Sequence, residues 1–91
     1  MTLRLNNQKP WHRDQIRSAR RKHLAPLILK RGLDLRDRGG GNMEIAQYPG
    51  LVVKASYWIW PEREMSGNTI DFFVKVLGAS FNNAMREISA G

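Results

Sequence analysis

The stretch Tyr57–Ile88, YWIWPEREMSGNTIDFFVKVLGASFNNAMREI, decides the fold, and the rest of the chain is arranged around it. Asn68 is a good N-cap, and Asp71 stands three residues on, as in a capping box. Ile70, Phe73, Val74 and Leu77 then recur at the spacing of one helix face, and Gly78 supplies the left-handed stop. Ser80 caps a second helix with Phe81, Ala84, Met85 and Ile88 at the same spacing. Before these helices, Leu51–Ala55 and Tyr57–Trp60 are β-branched and aromatic runs joined through Ser56, which reads as a hairpin. The residues Pro61–Gly67 read as a loop.

Working upstream, Tyr48-Pro49-Gly50 is a turn, with Pro and Gly where a type II turn needs them. Met43–Gln47 reads as a strand with Met43, Ile45 and Gln47 on one face. Gly39-Gly40-Gly41-Asn42 is the turn before it, and Leu33–Arg38 alternates apolar and charged residues as a half-buried strand does. Pro26 is tolerated only in the first turn of a helix, so a break is expected at Leu24–Ala25. A short helix then carries Leu27, Ile28 and Leu29 onto the core and ends at Gly32. Trp11–His23 reads as a helix with a thin apolar face, Ile16 and Ala19, and Met1–Pro10 as a flexible arm. The expected architecture is α+β. A small antiparallel sheet of about four strands packs on two C-terminal helices, behind a basic helical N-terminus. Residues 11–91 form one domain.

The 91 residues carry a net charge of +7, distributed unevenly. Residues 1–38 hold eleven basic and three acidic side chains, a net of +8, and the remainder holds four and five, a net of −1. Such asymmetry points to a polyanionic partner, against the plainer alternative of a solvated basic face. The candidate nucleic-acid contacts are Arg13, Arg17, Arg20, Arg21, Lys22, Lys30, Arg31, Arg36, Arg38, Lys54 and Arg63. Trp58 and Trp60 share one face of the last strand. That face either fills the core or forms a platform on which unpaired bases stack.

No apolar run approaches a membrane span, Met1–Lys9 has no apolar core so no signal peptide is expected, and the absence of cysteine suits the cytoplasm. The triple glycine joins two strands instead of opening a helix, so it is a turn and not a phosphate cradle. Glu62, Glu64 and Asp71 have no nucleophile or base beside them, and no catalytic residues are expected.

The aromatic strand, the small-Gly-polar loop, Ile70-Asp71-Phe72-Phe73 and the Gly78–Ala84 helix start together resemble the zinc-binding domain of bacterial replicative primases. They resemble still more the reduced forms in mobile-element proteins that carry a Toprim domain. Leu29–Gly41 is similar to that family's helix end and first hairpin, so the resemblance covers roughly Leu24–Ala90. It implies a zinc ribbon whose sheet meets a single-stranded template. This sequence departs from the family at the metal. One ligand pair aligns with Trp60 and Arg63, and Gln47–Gly50 offers no counterpart for the other. A structural zinc site needs four Cys or His ligands at short spacings, so neither metal nor cofactor is expected. The expectation is a metal-free, non-catalytic DNA-binding module for replication or transfer of a mobile element. Its partners would be single-stranded DNA and a replication protein or Toprim domain. The rival expectation is a protein–protein interaction module that docks a replication partner or a second copy of itself.

Overall fold

The computed structural model describes residues 11–91. The arm expected over Met1–Pro10 lies outside the described residues. The element order is α1 (Arg13–Arg21), α2 (Leu24–Lys30), β1 (Leu35–Gly39), β2 (Asn42–Ile45), β3 (Val52–Lys54), β4 (Tyr57–Trp60), β5 (Met65–Asn68), α3 (Thr69–Asp71) and α4 (Phe81–Ala90). The fold is α+β: an antiparallel sheet in the order β1-β2-β3-β4-β5, with the C-terminal helices packed against it.

The fifth strand is the first correction. Most of the expected loop Pro61–Gly67 is a 3-10 turn, Pro61–Arg63, followed by β5, which pairs with all four residues of β4. Met-Ser-Gly-Asn has almost no intrinsic strand preference, so tertiary pairing makes this strand. The break between the first helices falls at Lys22-His23, earlier than expected, because Pro26 fits the third position of α2 and needs no kink there. The first strand starts at Leu35 and the second ends at Ile45. Gln47 leaves the ladder to bond Asp34 through both backbone and side chain.

The core gathers Leu24, Leu27 and Ile28 of α2, Ile45, Leu51, Val53, Trp58 and Trp60 of the sheet region, and Ile70, Phe72, Phe73, Ala84, Met85 and Ile88 behind it. Leu29 of α2 points to solvent. The Asn68–Asp71 capping box forms: the Asn68 side chain accepts from the Asp71 amide at 3.0 Å, and Asp71 accepts from the Asn68 amide at 3.0 Å. Beyond it the helix widens into a π segment, Phe72–Val76, marked by the Leu77 amide donating to the Phe72 carbonyl. Widening changes the period. Phe72 and Phe73 are both buried, and Val74, expected on the apolar face, is exposed. Phe81, also expected in the core, is 42% exposed, since the inward face of α4 is Ala84, Met85 and Ile88.

Two long-range ties close the helical layer. The Trp11 indole N–H donates to the Asn82 side-chain oxygen at 3.1 Å, and Arg31 bonds both carboxylate oxygens of Glu87 at 2.8 and 2.9 Å. A third tie is the Thr69 hydroxyl donating to the Lys22 carbonyl, which gives this fully buried hydroxyl its partner.

Candidate nucleic-acid interface

The sheet has one covered face and one open face, and the strand register assigns each residue to its side. Val53 pairs with Trp58, and both are buried. Side chains alternate along a strand, so the flanking pairs Val52–Ile59 and Lys54–Tyr57 point the other way. Extending the register gives an outward row Arg36–Glu44–Val52–Ile59–Ser66 and, beside it, Lys54–Tyr57–Asn68. Tyr57 is 51% exposed and Ile59 41% exposed on this face, which no helix covers.

The same register removes the expected stacking platform. Trp58 and Trp60 face the helices and are buried, so neither indole can take a base in the folded protein. Trp58 meets Phe72 edge-on at 6.1 Å and donates to the Asn68 carbonyl at 2.9 Å. Trp60 ties together the β2–β3 turn and the segment after β4. Its ring meets Tyr48 edge-on at 5.6 Å, and its N–H donates to the Pro49 carbonyl at 3.1 Å. The Arg63 guanidinium lies 4.7 Å from its centroid. Arg63 is therefore engaged with a core indole.

The outward residues on β4 are Tyr57 and Ile59, which sequence reasoning did not single out for binding. A signal existed. Lys54 and Tyr57 are directly opposed across the two-residue turn Ala55-Ser56, so they share a face, and a lysine faces water. Reading the hairpin as joined through Ser56 alone hides that opposition. Ala55 takes a left-handed conformation, φ 54°, to make the turn.

The remaining cations divide between two surfaces. Arg36 and Lys54 lie on the open sheet face, and Arg38 reaches it by pairing with Glu44. The amide of Gly50 donates to Glu44 at 2.9 Å. That hydrogen bond, with the Arg38 guanidinium second, holds the Glu44 carboxyl below its ordinary range. The one acid on the face is thus already satisfied, and Arg36 and Lys54 make no ion pair among the described residues. Arg13, Arg17 and Arg20 instead line a hollow with Trp11 and Ile16 on α1, which packs on α3 and α4. Lys22 lines a separate hollow with Asp14, Gln15 and Ile88, and Arg21 is exposed on α1. Arg31 is committed to Glu87, and Lys30 is exposed at the end of α2. The structure therefore brings together Arg36, Arg38 and Lys54, and does not bring the α1 arginines to them.

The described residues hold no group of three or more His, Asp or Glu side chains placed to share a metal ion. Asp71 is consumed by its capping role, and Glu62 and Glu64 are exposed. No helix among the described residues is long and apolar enough to cross a membrane. No family model, curated protein or solved structure matches the chain.

Proposed function

We propose that this chain is a metal-free, non-catalytic module that binds single-stranded DNA on the open face of its sheet. The observation that carries the proposal is Tyr57. It is a half-exposed aromatic ring on an uncovered sheet, in register beside Lys54, with Arg36 and Arg38 across the same face. An aromatic side chain flanked by cations on a bare sheet suits a strand whose bases are unpaired. Each base stacked on a ring contributes roughly 1–3 kcal/mol, and the phosphates supply a salt-dependent remainder.

The resemblance to the primase zinc-binding domain supports the same surface, since that family is expected to meet its template there. It also gives Trp60 a meaning. Trp60 and Arg63 stand where the family keeps one cysteine pair, and Gln47–Gly50 offers no counterpart for the other. In this chain the Trp60 indole contacts Arg63, Tyr48 and Pro49. Packing takes the place of a metal. Service in replication or transfer of a mobile element, alongside a replication protein or a Toprim domain, belongs to this proposal.

Fluorescence anisotropy with a labelled oligo(dT) at two salt concentrations tests it. Tyr57→Ala should weaken binding by roughly 5- to 150-fold, the equivalent of one lost stack, and leave the salt slope almost unchanged. The double variant Arg36→Ala/Lys54→Ala should weaken binding and flatten the log–log slope by roughly 0.7 for each phosphate left without its cation. Folded Tyr57→Ala protein that binds as tightly as the parent overturns the proposal. One observation favours a second reading. Val52, Ile59 and Tyr57 form an apolar centre on the open face, which also suits a protein interface. Binding of a protein partner there would vary little with salt.

A further inference from the structure

A second surface, distinct from the sheet, carries a more specific message. The hollow on α1 lined by Trp11, Arg13, Ile16, Arg17 and Arg20 shares two walls, Ile16 and Arg20, with a hollow lined also by Asn68, Ile70, Asp71, Val74 and Phe81. They meet at Ile16 and Arg20 as one groove that runs from the surface of α1 into the gap between α1 and the C-terminal helical layer. Its floor is aliphatic and aromatic, and two of its residues, Val74 and Phe81, are exposed although their helices bury other faces. The groove is a built feature: the Trp11 indole on its wall is bonded to Asn82, and α1 is tied to the start of α3 by the Thr69 hydroxyl donating to the Lys22 carbonyl.

Its rim is cationic on one side. Arg13 and Arg20 make no ion pair among the described residues, and Arg17 has only an exposed 3.8 Å contact with Asp14. Asp71, the acid in the groove, already accepts the Asn68 amide. The N-terminal arm is a poor electrostatic match, because Met1–Pro10 contains Arg4 and Lys9 and no acid.

We propose that this groove docks an acidic amphipathic helix of a partner protein. Apolar side chains one helical turn apart would seat on Ile16, Ile70, Val74 and Phe81, and the flanking carboxylates would meet Arg13, Arg17 and Arg20. Helix-in-groove recognition uses this combination, with apolar anchors for affinity and rim charges for orientation and rate. A nucleic acid would satisfy the arginines and leave the apolar floor empty, so the floor selects the peptide. The assignment does not depend on how the sheet face is used.

The test uses the full chain and a fluorescein-labelled model helix of fourteen residues, with Leu at one heptad-like face and Glu elsewhere. Binding is expected, and Phe81→Ser and Arg20→Glu should each weaken it at least tenfold. The same peptide with Lys for Glu, or with Ser for Leu, should bind at least tenfold more weakly. Phe81→Ser should leave oligo(dT) binding unchanged, which separates this surface from the sheet. Four results overturn the proposal: no peptide binding at millimolar concentration, equal binding by the folded variants, displacement of the peptide by oligo(dT), or a dimer in sedimentation that Phe81→Ser dissociates.

Discussion

Trp60→Ala should be among the most damaging single substitutions in this chain. The indole is 8% exposed and holds three things at once: the Tyr48 ring, the Pro49 carbonyl and the Arg63 guanidinium. Truncating a buried aromatic to alanine costs about 3–5 kcal/mol, counting transfer and cavity together. The broken N–H bond falls within that range, because Pro49 is exposed and water can reach its carbonyl. At roughly 0.05–0.15 kcal/mol per residue, a domain of this size holds about 5–14 kcal/mol in all. The variant should therefore lose from about a fifth of the stability to all of it. Urea unfolding followed by circular dichroism reads this directly. With a slope of about 2 kcal/mol per molar, a loss of about 4 kcal/mol moves the midpoint down by about 2 M. Trp60→Phe keeps most of the packing and loses the donor, so it should cost about 1–2 kcal/mol. A Trp60→Ala midpoint within about 0.5 M of the parent would refute the reasoning, and the two loops would then be held together by something other than the indole.

Protein purified without added zinc should contain no stoichiometric zinc by metal analysis, and chelator should leave its melting temperature unchanged; one equivalent per chain would sink the metal-free reading. Phe73→Ala should cost about 3–5 kcal/mol in the same urea assay, whereas Phe81→Ala should cost less than about 1 kcal/mol, and equal losses would contradict the assigned inner face of α4. The Glu44 carboxyl is held below its ordinary range by the Gly50 amide and Arg38, so the folded chain binds that proton less readily than the unfolded chain. Its contribution is present above about pH 4.3 and fades as the pH falls through the lower folded value, so the melting-temperature gap between parent and Glu44→Gln should shrink from pH 6 to pH 3. An unchanged gap at both pH values would contradict that account.

The fold class was legible because its strongest signals are local. Asn68 with Asp71, Ser80 at the head of α4, and Gly32 and Gly78 at helix ends all act within a few residues of themselves. Three features were not legible, each for a different physical reason. The strand β5 has no local preference and exists through its pairing with β4. The π segment changes the period after Asp71, so counting at helical spacing exposes the wrong residue and buries Val74 in place of Phe72. The two faces of β4 are both apolar, so hydrophobicity alone could not choose between Trp58 with Trp60 and Tyr57 with Ile59. The choice needed the hairpin register, where Lys54 fixes the outward side. The candidate site inherits that ambiguity. The cations on the sheet were legible as charges, but the aromatic residue beside them was not.

The strand order β1-β2-β3-β4-β5 bears on how the chain assembles in time. Each strand pairs with its neighbour in sequence, across turns as short as Gly40-Gly41 and Ala55-Ser56, so the whole sheet can form with little loop-closure entropy. The ties between chain ends are of another kind: Trp11 to Asn82 spans 71 residues and Arg31 to Glu87 spans 56. Those closures are favourable only once the sheet has brought its ends together. These long-range ties of the helical layer should then form after the sheet. Damage at Trp11 or Glu87 would act mainly on the rate of unfolding, and damage in the β3–β4 hairpin mainly on the rate of folding.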